Sequence, residues 1–305
     1  MSISDFIQIV PLIRCILSRK KNFKPQAIVK IQGGLGNQMW QYAWGNGIGN
    51  ESNLSVSYDL SWFKSAPQSR PLLLESTFPK IKLKEATPKD IRLYRCFFAY
   101  PANREYEYID TFFTSQEPRY LGAYYHHSQY YESQGNSLQE IFTFDSNLVE
   151  GCKNMLKQIC LCRMPIGIQV RRGDYVGSFF EVTTPQYFSR AIDRISRMLP
   201  SQPLHFFVFS DDIEWCRYFF SNIGHKFTFV ADNADNPQAD LFLLSNCAHF
   251  IISNSSFAWW AAWLSKRSDS KIVIMPDTWY AGDARMKGQK LAQSLKLENW
   301  LMLSS

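Results

Sequence analysis

The sequence predicts an α/β protein whose second half is a doubly wound parallel sheet. Two observations carry this prediction. Five apolar, β-rich runs at 166–171, 205–209, 226–230, 250–253 and 271–275 alternate with helical patterns. Strand–helix–strand alternation is the signature of a parallel sheet covered on both faces. The residues that carry chemistry also lie just past the ends of such runs, where open α/β sheets bind their ligands.

Taken in order, residues 27–31 (Ala-Ile-Val-Lys-Ile) read as a first strand leading into a glycine loop. Residues 39–48 follow with apolar side chains at helical spacing, and 54–58 form a second strand that ends at Asp59. From there to about residue 160 the pattern is irregular. Pro67, Pro71, Pro79, Pro88, Pro101 and Pro118 interrupt it, and tyrosines are dense. Proline removes a donor and fixes φ, so few regular elements can be placed there. In the second half one helix opens at Thr184-Pro185, an N-cap followed by proline at the first helical position. Others begin near Asp211, Pro237 and Ser255. A coil at 150–165 marks the expected boundary. It divides the chain into an extension, 1–26, an N-terminal domain, 27–160, and a C-terminal domain, 161–305.

The chain has 305 residues, 46% hydrophobic and 20% charged, which is globular rather than disordered composition. The net charge of +6 comes without a basic tract longer than Arg19-Lys20-Lys21. That favours an anionic small substrate or a membrane surface and argues against nucleic acid. Seven cysteines show no CxxC pair, so a reducing compartment is expected and structural zinc is not. Residues 6–17 are apolar but for Gln8, Pro11 and Arg14. This stretch is too short and interrupted to span a bilayer, and it lacks the flanks of a signal peptide. It reads either as a helix packed on the domain or as a peripheral contact of residues 1–25 with the inner membrane. A cytoplasmic location is expected under both readings, at the membrane's cytoplasmic face under the second.

Three segments can each hold phosphate by a different route. Gly33-Gly34-Leu35-Gly36-Asn37-Gln38 lets a backbone approach a ligand closely. It also reads as a plain strand-to-helix turn, or as a partial dinucleotide fingerprint in which Met39 replaces the third glycine and Asp59 mimics the ribose-binding acid. Val170-Arg171-Arg172-Gly173-Asp174-Tyr175 ends a strand with two guanidiniums, which clamp oxyanions and keep their charge. Arg171 is expected to face the ligand and Arg172 to pair with Asp174. Asn254-Ser255-Ser256-Phe257 opens a helix whose free N–H groups and hydroxyls attract anions. Ser210-Asp211-Asp212 ends another strand. One of its carboxylates suits a helix cap, and the other a base or ribose. Asp232, Asp235 and Asp240 lack the glycine of a calcium loop and read as a turn, with Asp240 entering a helix. Trp259, Trp260 and Trp263 read as core rather than a sugar platform, and His249 as a packed histidine. No set of residues has metal-ligand spacing.

Together these blocks, with Phe209 and the run Ile251 to Trp260, resemble the bacterial α-1,2-fucosyltransferases of glycosyltransferase family 11. The resemblance spans residues from about 27 to 280. It implies a GT-B-like fold of two facing Rossmann-like domains, GDP-fucose as donor, inversion at the anomeric carbon and no metal. It places Arg171 on the β-phosphate and Asn37, with Gly34 and Gly36, near the diphosphate and acceptor. Asn254, Ser255, Ser256 and Phe257 fall at the phosphate-binding helix start, and Asp211 and Asp240 near the guanosine or its supporting turn; Arg172 and Gln169 are also expected among the donor-binding residues. One departure stands out: Gln169 occupies a position where the family usually has histidine.

The expected reaction is attack by the 2-OH of a galactose-containing acceptor on C1 of fucose, with GDP leaving. Asn37 and Arg171 would serve the reaction centre, and Asp174 and Glu181 are the carboxylates nearest in sequence that could act as base. The acceptor is expected in the first half, within glycan synthesis of the O-antigen or capsule kind. The alternatives are an NAD(P)-dependent oxidoreductase, which uses the glycine loop and Asp59, and a catalytically silent sugar-nucleotide-binding protein, which Gln169 favours.

Overall fold

The computed structural model describes residues 14, 24–65, 70–102, 106–199, 203–231 and 236–305. The two readings of residues 1–25 therefore fall almost wholly outside the described residues, as do Asp232 and Asp235 of the acidic turn. Among the described residues no helix is long and apolar enough to cross a membrane.

The chain forms two compact units. The first runs up to Glu75 and takes in Ile81–Leu138. The second is Ser76–Lys80 with Gln139–Ser305. The coil expected to divide the chain near residue 160 thus lies inside the second unit. Long-range packing of 142–162 explains the difference: Phe142 meets Trp260 edge-on at 5.1 Å, and Phe144 meets Phe242 at 5.1 Å. The Arg267 guanidinium also donates to the carbonyls of Cys160 and Cys162, each at 3.0 Å. The partners lie about a hundred residues further along, so local pattern does not show them.

The first unit holds three parallel strands in the order β2-β1-β3. They are β1 (Gln26–Lys30), β2 (Ser55–Asp59) and β3 (Arg119–Leu121). Of the helices, only those of eight or more residues are numbered. Helix α1 (Leu35–Glu51) follows β1 directly and is buried nearly all round, Trp40 and Trp44 included. A helix buried on every side needs no polar stripe, which is why its pattern is not clearly amphipathic. Helix α2 (Pro88–Phe97) starts at Thr87, whose hydroxyl accepts from the Asp90 N–H at 3.1 Å. His126 is held in the core, its ring 4.0 Å from Trp40 and 5.7 Å from Trp44.

The second unit is built on six parallel strands in the order β6-β5-β4-β7-β8-β9. They are β4 (Pro165–Val170), β5 (His205–Ser210), β6 (Lys226–Val230), β7 (His249–Ile252), β8 (Val273–Pro276) and β9 (Trp300–Leu303). The last was not legible in the sequence, being four residues beside a polar turn. Helices α3 (Lys153–Leu161), α4 (Pro185–Met198), α5 (Ile213–Phe220), α6 (Pro237–Ser245), α7 (Ser256–Leu264) and α8 (Arg285–Leu295) complete it. Ile166, Ile168 and Val170 of β4 join Tyr187, Phe188, Ile192 and Ile195 of α4 in one buried cluster. The alternate β4 residues face the other way, where a Cβ on Gly167 would lie 2.4 Å from Leu244. Trp259, Trp260 and Trp263 are buried as expected. So is His249, whose Nδ1 accepts from the Ile272 N–H at 3.1 Å. The strand order turns back between β4 and β7. The segments that follow these two strands therefore share the crevice where such sheets bind ligands.

Candidate active site

The polypeptide after β4 and after β7 is tied together by one hydroxyl. Ser253 Oγ donates to the Gln169 carbonyl (2.8 Å) and accepts from the Arg171 N–H (3.1 Å). Arg171 is thereby fixed beside the start of α7. Its guanidinium reaches Asp211 at 2.8 Å and Asp174 at 2.5 Å, and stands over the Tyr175 ring at 5.4 Å. Arg172 turns elsewhere: it pairs with Asp212 at 3.0 Å and stacks 4.1 Å over Trp215. The expectation that Arg172 would pair with Asp174 is corrected. The strand ends at Val170 and the chain enters a 3-10 turn at Gly173–Tyr175, which brings Asp174 back under Arg171. Gly173 is needed there, because a Cβ would lie 2.6 Å from Asp211 Oδ2.

Asp211 and Asp212 divide their work. Asp212 caps α5 by accepting from the Trp215 N–H at 3.2 Å. Asp211 accepts the Arg172 N–H at 2.9 Å and holds Arg171. Asp240 lies in the first turn of α6, which Asn236 caps. Among the described residues no group of three or more His, Cys, Asp or Glu could hold a metal ion.

The start of α7 has no side-chain cap, since Ser255 in the N-cap position makes no such bond. Its leading N–H groups keep the partial positive charge of a helix N-terminus. Asn254 orients this turn, its Nδ2 donating to the carbonyls of Phe180 (3.0 Å) and Trp279 (2.9 Å). Ser256 and Phe257 are half-buried at the helix entry. Gln169, 6% exposed, leaves Oε1 without a hydrogen-bond partner among the described residues. A buried acceptor that stays unpaired is costly, so this position matters energetically.

Sequence reading missed the aromatic wall next to Arg171. Tyr175 stacks on Phe180 at 5.1 Å, and Phe179, an exposed residue, lies 5.5 Å from Tyr280. The loop carrying them turns at Gly177, which has φ 74°. Glu181 accepts the Gly177 N–H at 2.8 Å, so it braces this turn. The close spacing of Tyr175, Phe179 and Phe180 was the available signal.

In the first unit the glycine loop leads from β1 into α1, as expected. Gly33 has φ 79°, a conformation that favours glycine. Gln38 explains the motif's last letter. Its Nε2 donates to the Gly33 and Pro71 carbonyls, and its Oε1 accepts from the Leu73 N–H, all at 2.9 Å. Gly34 caps α1 without any side chain, and Gly36 and Asn37 lie in its first turn. A Cβ on Gly34 would come 3.2 Å from Arg70 Nη1, so an arginine borders this loop. The irregular pattern around Arg70 gave no hint of it. Asp59 is fully buried, accepting from the Tyr120 hydroxyl (2.7 Å) and the Ser61 N–H (2.9 Å). Burial pushes its pKa up, but these hydrogen bonds outweigh it and leave the carboxyl below its usual value. A carboxylate so committed is not offered to a ribose, and the oxidoreductase reading loses its acid.

A parallel sheet with an arginine past its central strand and an uncapped helix start beside it makes this an α/β protein with positive charge gathered at the strand ends. Comparison narrows the class. The sequence profile of glycosyl transferase family 11 matches residues 8–304, and the chain belongs to that family. It is 30% identical over 273 residues to an Escherichia coli alpha-1,2-colitosyltransferase, covering 83% of this chain and 92% of that protein. It is 28% identical to the Escherichia coli O-antigen biosynthesis glycosyltransferase WbnK, covering 67% of each chain. The human galactoside alpha-(1,2)-fucosyltransferase 1 matches at 29% over 155 residues, 47% of this chain and 40% of that one. Among solved structures, the NodZ alpha-1,6-fucosyltransferase soaked with GDP-fucose superposes with a TM-score of 0.52 at 13% identity, covering 79% of this chain and 92% of that one. The likeness confirms an α/β fold of the GT-B type.

Proposed function

We propose that this family 11 enzyme transfers L-fucose from GDP-fucose to the 2-OH of a galactoside, with inversion and without a metal. The observation that supports this best is Arg171. It stands past the central strand, next to the uncapped start of α7, in a chain with α-1,2-transferring relatives. The acceptor oxygen attacks C1 as the bond from C1 to the diphosphate oxygen breaks. The electron pair leaves on GDP, and the acceptor proton passes to a base. Arg171 and the α7 N–H groups oppose the growing negative charge on the leaving group, a preorganised contribution of the oxyanion-hole kind.

To meet a phosphate, Arg171 exchanges its carboxylate partners for phosphate oxygens. Asp174, half exposed, is the easier one to release, and release frees it to accept the proton. Glu181 is the less suited base, because it braces Gly177. Asn37 makes no side-chain hydrogen bond among the described residues and is offered to the diphosphate or acceptor. Cytoplasmic work on an O-antigen-like glycan, with residues 1–25 at the inner membrane, completes the proposal.

The colitosyltransferase relative supports a second reading, in which the donor sugar is colitose. One experiment tests both. The enzyme is incubated with GDP-fucose or a colitose donor and a panel of galactosides, and the product linkage is assigned by NMR. An α-1,2-fucoside is expected. Product only from the colitose donor selects the second reading, and donor binding without any product selects a silent binding protein.

A further inference from the structure

A buried arginine in the first unit has a charge that the fold does not match. Arg119, on β3, is 3% exposed. Its Nη2 donates to the Ser115 carbonyl at 2.9 Å, and its guanidinium lies 5.8 Å from the Phe112 ring centre. Its Nε, shut off from solvent, has no acceptor among the described residues. No carboxylate comes within ion-pairing distance of it among the described residues. A buried charge is normally paired, and leaving one with a single carbonyl is expensive. Burial accordingly draws the Arg119 pKa below its usual value, against the opposing fields of Tyr100 and Glu117.

Arg119 lines a cavity of about 340 Å³ with Tyr100, Ser115, Glu117, Pro118 and Arg14. Arg14 adds a second positive charge to the wall, held over the Phe98 ring at 5.7 Å. The cavity is large enough for a phosphate or a sugar acid, at the low end of small-ligand sites. The two segments that line it, 98–101 and 115–119, are joined by backbone pairing next to it. The Tyr120 N–H donates to the Phe98 carbonyl (2.7 Å) and the Tyr100 N–H to the Tyr120 carbonyl (2.9 Å). None of these residues belongs to the blocks that carry the diphosphate chemistry, all of which apart from the glycine loop lie in the second unit.

We infer that this cavity is an oxyanion site, taking a phosphate or carboxylate group between Arg119 and Arg14. The inference stands apart from the transfer chemistry, and loss of one leaves the other intact. An anion here would compensate the buried guanidinium, and the fork of an arginine suits both acids.

The test uses the full chain saturated with GDP, so that the donor site is filled. Inorganic phosphate and methyl glucuronate are titrated separately at constant ionic strength, with binding read by NMR and by thermal shift against chloride. Saturable binding of at least one anion is expected, and which one binds tells a phosphate source from a sugar-acid source. Arg119→Gln should weaken it about tenfold or more, the scale of one charge-assisted contact. Glu117→Gln, at an exposed position that does not endanger folding, should tighten it about two- to threefold by removing the acid on the wall. Neither anion binding above the chloride control overturns the inference, as does equal affinity in wild type and Glu117→Gln. Should Arg119→Gln fail to fold, the sign of the Glu117→Gln and Glu117→Lys effects decides: both must tighten binding, and Lys more than Gln.

Discussion

Replacing Arg171 with alanine separates the arginine's role in chemistry from its role in the fold. Its side chain is 28% exposed and holds two carboxylates, Asp211 and Asp174, that are themselves 26% and 50% exposed. Ion pairs this open contribute roughly 0–1 kcal/mol each. Losing both should lower Tm by no more than about 8 °C, taking ~2–4 °C per kcal/mol for a large domain. The same guanidinium facing the charge that develops on a leaving diphosphate is worth far more. Losing one preorganised donor to a developing oxyanion costs about 3 kcal/mol, or ~10²–10³ in kcat. The variant should thus lose at least ~100-fold in transfer yet keep a near-native melting curve. Arg171→Lys should recover little, because one ammonium cannot reproduce the fork. The assay is GDP release with saturating galactoside, alongside circular dichroism. Turnover within about fivefold of wild type, in a folded variant, would refute the clamp, since that is ~1 kcal/mol and no more than an exposed pair.

Asp174→Asn distinguishes a base from a restraint: a base gives a fall in kcat, whereas a restraint on Arg171 alone gives a lower donor KM with kcat preserved. Transfer should survive EDTA, because Arg171 and the start of α7 supply positive potential; complete loss restored by Mn²⁺ or Mg²⁺ would move Asp211 and Asp212 into a metal site. Gln169→His should keep or lower the GDP-fucose KM, because the present amide already leaves Oε1 unpaired, and a rise above tenfold would show that the pocket is adapted to glutamine. Acid should destabilise the protein through His126, whose pKa burial lowers to about 3 from an unfolded 6.5. Between those values the unfolded chain binds a proton that the folded one refuses, so stability falls as pH drops below 6.5, by at most about 1.4 kcal/mol per pH unit. His126→Phe should flatten that slope in urea melts taken from pH 7 to 4, and an unchanged slope would remove His126 from the account.

Local pattern was enough for much of this protein. Alternating apolar runs and helix starts at Thr184-Pro185 and near Asp211 and Pro237 are nearest-neighbour effects, and the α/β fold and five of the six strands of the second unit were legible from them. The motif blocks could be read for the same reason: a glycine at positive φ, a strand-end arginine and a helix opening on serine each announce themselves within six residues. Tertiary structure decided the rest, because the deciding partners are far apart in the chain. That Arg171 rather than Arg172 holds Asp174 depends on where β4 stops and on Asp211, 40 residues away. That residues 139–160 belong with the second unit depends on Phe142 meeting Trp260. That Gln38 tethers the glycine loop, that Asp59 serves Tyr120 and not a ribose, and that Arg119 is buried without a counter-charge all follow from contacts between segments that the proline-broken first half hides from any periodic reading. Side-chain pairing across such distances is a property of packing, and packing is fixed only when the whole chain has folded.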